Sequence, residues 1–66
     1  MTVEFKNVGD KKETFTAECT GALSEEWLRS QVEPIVKSFC WCAYNRRQNL
    51  GYIHSGWELV GYYKIL

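Results

Sequence analysis

Residues 20–28 read T-G-A-L-S-E-E-W-L. The stretch carries three independent helix-start signals, and the segments on either side of it alternate like strands. Ser24 can accept a hydrogen bond from a backbone N–H that the first turn leaves without a partner. Glu25 and Glu26 then sit where the helix dipole favours negative charge. Leu23 before the cap and Leu28 one turn on match a hydrophobic staple. Leu28, Val32 and Ile35 follow at i, i+4, i+7 spacing, and Phe39 extends the stripe, so this face is expected to lie on a sheet. Trp27 lies about 100° around from Leu28, on the flank of that face. Pro34 removes one helical hydrogen bond and clashes with the carbonyl four residues back, at about 3 kcal/mol. The pattern predicts a kinked helix over 25–37, with Lys37 favourable at its C-terminal end.

Upstream, Thr2–Val8 alternates, with Val3 and Phe5 on one side and Glu4 and Lys6 on the other. Gly9-Asp10-Lys11-Lys12 supplies a turn, and Glu13–Cys19 alternates again, with Phe15, Ala17 and Cys19 sharing a face. Downstream, Ser38–Arg46 has strand composition. Its face assignment puts Phe39, Trp41 and Ala43 toward the helix and Cys40, Cys42, Tyr44 and Arg46 away. Trp57–Ile65 is the last strand, with Trp57, Leu59, Tyr63 and Ile65 together. Residues 47–55 admit two readings: a turn at Asn49-Leu50-Gly51 with a short Tyr52–His54 strand, or a short helix, which Gly51 disfavours.

The order is β-β-α-β-β, an α+β fold in which a small antiparallel sheet carries one helix on a single face, within one domain spanning 1–66. The face left open is expected to carry Cys40, Cys42, Tyr44, Val60 and Tyr62. So apolar a face calls for a second subunit or another partner.

Composition narrows the function classes. The chain has 66 residues, 45% of them hydrophobic and 15% aromatic, which suits a small packed core rather than a disordered segment. Eight basic and eight acidic residues cancel, so the basic excess usual in phosphate-gripping proteins is missing overall and would have to be local. The start lacks a signal-type apolar run and no stretch is long enough to span a membrane, which points to a cytoplasmic protein. Three cysteines in such a compartment argue against a disulfide framework. G-W-E-L-V at 56–60 resembles a short motif found at strand starts in small bacterial and phage proteins, and this resemblance implies no activity. The small size also resembles phage-encoded accessory proteins.

Four chemistries compete for these residues. Cys19, Cys40, Cys42 and His54 make a Cys3His set of the kind zinc takes, but their spacing departs from zinc knuckles and Cys19 falls on the other face, so no metal and no cofactor is expected. Catalysis has little support: His54 beside Ser55 is not a triad, and the adjacent Glu25 and Glu26 diverge, so the protein is read as not an enzyme. The leading reading is binding to another protein, on a functional surface of a host protein in the manner of a phage accessory factor. Trp27, Tyr44, Arg46, Arg47 and Tyr62 are the candidate contacts, because Trp, Tyr and Arg dominate interface hot spots. The competing view of Trp27 is that it packs over the first hairpin. Pairing of two copies through the first or last strand is a self-associating version of the same idea. The alternative is single-stranded nucleic-acid binding, with bases on Trp41, Tyr44, Tyr52 and Tyr62 and phosphates on Arg46 and Arg47. Against it, Trp41 can be core, the tyrosines can be amphipathic cover, and Glu58 can pair with one of the arginines across the sheet.

Overall fold

The computed structural model describes all residues from Met1 to Leu66. The elements are β1 (Thr2–Val8), β2 (Glu13–Glu18), α1 (Glu25–Val36), β3 (Trp41–Asn45), β4 (Leu50–Ser55) and β5 (Glu58–Ile65). The strands form one antiparallel sheet in the order β2-β1-β5-β4-β3, with α1 across one face. The β-β-α-β-β order holds, and the strand expected at Tyr52–His54 is the additional strand between β3 and β5; it runs longer, from Leu50 to Ser55, because the turn falls at residues 46–49 and Leu50 and Gly51 already pair with β3. The first and last strands pair with each other inside the sheet. Edge-to-edge dimerisation through either is therefore closed, and the free edges are β2 and β3.

Helix α1 begins as the sequence dictates. Ser24 accepts from the Trp27 amide at 3.1 Å, and Leu28 and Val32 are buried. The helix runs through Pro34 without ending and restarting, because the proline falls in the last turn. Lys37 closes it in a left-handed conformation (φ 65°, ψ 35°), its N–H donating to the Glu33 carbonyl. Phe39 does not continue the apolar stripe. It is 64% exposed, and its ring lies 4.7 Å from the Arg29 guanidinium carbon, a cation–π contact outside the core.

The core joins Val3, Phe5 and Val8 of β1, Leu28 and Val32 of α1, Cys40, Ile53 of β4 and Tyr63 of β5. Val8 reaches it only because Asn7 adopts φ 57° and the β1–β2 register slips between Phe5 and Val8. Without that bulge, strict alternation would turn Val8 outward.

Two face assignments are corrected by the register. Cys42 pairs with Ile53 and Tyr44 with Gly51, so Cys40, Cys42 and Tyr44 face the helix, while Trp41 and Ala43 face away. On β5 a second irregularity opposite Ile53–His54 changes the phase: Leu59 pairs with His54 and points out, Val60 packs on the core, and Tyr63 and Ile65 stay inside. Trp57, in the tip of the β4–β5 hairpin, is 97% exposed rather than core. Of the residues expected on the open face, only Tyr62 is there.

Candidate functional site

The face of the sheet away from α1 has no covering layer. Its β3, β4 and β5 portion carries Trp41, Ala43, Tyr52, His54, Leu59 and Tyr62, and the β1 and β2 portion carries threonines and charges. The aromatic portion has two ends of different chemistry.

At the β4–β5 hairpin end, Trp41 stacks on its cross-strand partner His54 with ring centroids 4.3 Å apart and planes 12° apart. The Trp41 indole N–H donates to the Gly56 carbonyl at 2.8 Å, which fixes the ring over the hairpin. His54 Nδ1 is buried there without a hydrogen-bond partner. Leu59 lies beside this pair, 42% exposed, and Trp57 projects from the tip. The result is an apolar shelf held in place by Trp41, with a large exposed side chain at its rim.

At the other end, Tyr52 and Tyr62 are cross-strand partners in an edge-to-face arrangement, with centroids 5.7 Å apart. Lys6 is the partner of Tyr62 on β1, and Lys64 follows Tyr62 on the same side of β5. The β3–β4 turn, residues 46–49, brings Arg46 and Arg47 to this end. Asn45 holds the turn by accepting from the Arg47 and Gln48 amides at 3.0 and 3.3 Å. An open depression of about 550 Å³ is lined by Ala43, Tyr44, Asn45, Arg46, Arg47 and Tyr52.

The candidate contacts inferred from sequence are thus split. Arg46 and Arg47 sit with Tyr52 at the cationic end, and Tyr44 borders the same depression from the helix side. Tyr62 is on the open face. Trp27 belongs elsewhere: it packs 6.1 Å from Phe5, over the first hairpin, in agreement with the competing view of that residue. Glu58 pairs with Ser55 at the far end of β4 and does not meet the arginines. Trp57, Leu59, Lys6 and Lys64 complete the surface and are absent from the contacts inferred from sequence. The outward parity of Lys6 beside Glu4, and of Lys64 two residues after Tyr62, is the signal the sequence holds for these.

The Cys3His set is not assembled. Cys19 follows β2 at one sheet edge, Cys40 and Cys42 belong to the opposite edge, and His54 is on the other face; no group of three metal-ligating side chains forms. The thiols near α1 are also poor ligands and nucleophiles. Burial pushes the Cys42 thiol up to about 11, with Glu25 adding to the effect, and burial with Glu33 raises Cys40. Those carboxylates hold the edge of the sheet: Glu33 accepts the Cys40 amide at 2.9 Å and Glu25 the Cys42 amide at 3.3 Å. Arg29 Nε lies 3.3 Å from the Glu33 carboxylate, paired by charge but not aligned as a hydrogen bond. The largest cleft, about 600 Å³, lies between the β1–β2 turn and the end of α1. Lys11, Lys12 and Lys37 there face Asp10, Glu13 and Glu58, which favours neither charge.

No protein-family model, curated protein or solved structure matches the chain. No helix is long and apolar enough to cross a membrane.

Proposed function

We propose that the protein acts without catalysis, by docking on another protein through the hairpin end of its open sheet face. The observation that carries this reading is the exposure of Trp41 and Leu59 at one end of a layer that α1 does not cover, with Trp57 97% exposed in the adjoining hairpin tip. Isolated exposed apolar residues are ordinary, but several gathered at one end of an uncovered face mark an interaction surface. Trp41 is held by its stack on His54 and its bond to Gly56, so a partner meets a surface that is already ordered. Preorganisation of that kind lowers the entropic cost of association. Three unpaired thiols suit action in a reducing, cytoplasmic setting. The absence of catalysis is supported by His54 lying flat against Trp41 and by Cys42 holding its proton well above neutral pH.

The test is photo-crosslinking in producing cells from a probe placed at position 59, in the parent and with Trp57→Ala. One discrete crosslinked complex is expected from the parent, reduced at least tenfold by Trp57→Ala and unchanged by Thr16→Ala on the polar half of the same face. An equal yield from parent and Trp57→Ala contradicts the reading. A complex of twice the chain mass identifies the partner as a second copy.

A further inference from the structure

We infer that the cationic end of the open face binds single-stranded nucleic acid, with one base seated against Tyr52 over Ala43. This goes beyond the docking role of the hairpin end and uses different residues.

The cross-strand pairs of β3 and β4 set up the seat. Trp41 covers His54, but the next outward pair is Ala43 and Tyr52, where the small methyl leaves the space beside the ring open. The open depression formed there is also lined by Arg46 and Arg47. A planar ring entering it stacks on Tyr52 with an arginine close by, the arrangement that binds unpaired bases with little preference for sequence. Tyr62 adds a second ring edge-on to the first.

Charge supports an anionic occupant. The chain is neutral overall, yet Lys6 and Lys64 flank Tyr62 on the outward side of the sheet and Arg46 and Arg47 line the depression with Tyr52; Lys6 has a partner in Glu4 at 3.9 Å. Most of the acidic side chains lie elsewhere, with Glu25 and Glu33 turned to the β3 amides. A second copy is a poor fit: a two-fold interface sets a patch against itself and would bring these cations together. A duplex is a poor fit too, because its bases are stacked on one another and do not present a free face to Tyr52.

The test is fluorescence anisotropy with a labelled thymidine oligonucleotide of about twelve nucleotides, a length within the usual site sizes of single-strand binders. Saturable binding is expected at about 50 mM salt, falling roughly 20- to 50-fold by about 200 mM if three or four phosphates are neutralised. Arg46→Ala with Arg47→Ala lies in a surface turn; it is expected to weaken binding at least tenfold and to flatten the salt dependence. Tyr52→Leu is expected to weaken binding about tenfold or more through lost stacking, and Tyr52→Phe to retain it, with thermal melts as the check that both variants fold. Trp57→Ala is expected to bind the oligonucleotide as the parent does, which separates this test from the docking test. The inference is overturned by absent binding at about 100 µM protein, the weak end of non-specific affinity. It is equally overturned by a matched duplex binding as tightly, by an acidic peptide competing as well as the oligonucleotide, or by arginine variants that bind like the parent.

Discussion

Gly51 stands where Tyr63 needs room. The Tyr63 ring of β5 lies over the Gly51 backbone of β4, stacked at 5.9 Å on Tyr44 of β3 beyond it, and a Cβ at position 51 would overlap ring carbons. Gly51→Ala is expected to cost about 3 kcal/mol by overpacking, read as a lower urea midpoint. Gly61→Ala, whose Cβ would meet Val8 at 3.1 Å, is expected to cost less. Tyr63 and Cys42, with Cys40 in the same direction, also contribute a loss of stability at alkaline pH. Burial pushes Tyr63 up to about 12 from 10.0 and Cys42 up to about 11 from 9.0. The folded state keeps protons that the unfolded chain releases, so stability is full below about pH 9 and declines as pH rises toward about 12. Cys42→Ala is expected to flatten the decline between about pH 9 and 11 in a series of denaturant melts. At the end of α1, Lys37 occupies a left-handed position that glycine fills more readily. Lys37→Gly is expected to leave stability unchanged or raise it by up to about 1 kcal/mol.

Among the elements, α1 is the most legible in the sequence because its signals are local. Ser24, the two glutamates and the Leu23–Leu28 pair act within one turn, and Ser24→Ala is expected to cost about 1 kcal/mol in a thermal melt. Strand existence is legible from alternation, but which side of β3 faces the helix is not. Both of its alternating sets are apolar or aromatic, so hydrophobicity does not choose between them. The choice is made by pairing to β4 through the 46–49 turn, a non-local fact. On β1 and β5 the bulges at Asn7 and near Val60 break the period of two midway, which no strict alternation anticipates. The β3 edge shows a further device hidden from sequence. Alternate amides there, those of Cys40 and Cys42, are taken by carboxylates of α1 instead of being left to pair with another chain. Glu33→Ala is expected to destabilise the fold by about 1–3 kcal/mol through the orphaned Cys40 amide, with faster hydrogen exchange at that amide as the specific readout.

At the scale of the molecule, one helix covers one side of the sheet and the other side is left as surface. That asymmetry is legible from the element order alone, because a single helix cannot cover two faces. The residues that populate the surface are not, since they depend on the β3 register and the β5 bulge. Alternation by itself puts cysteines on the open side; the structure places Trp41, His54, Leu59, Tyr52 and Tyr62 there. The same register brings Arg46, Arg47 and Lys64 to one end and Trp57 to the other, which gives the two ends their separate proposed partners.

The orientation of β3 underlies every functional statement about that surface, and native-state thiol labelling followed residue by residue by mass spectrometry tests it directly. Cys40 and Cys42 are expected to react far more slowly than in the unfolded chain, because both lie on the side of β3 that α1 covers. Labelling of both at the unfolded rate would mean that the cysteine side of β3 faces water, and the aromatic surface would not exist.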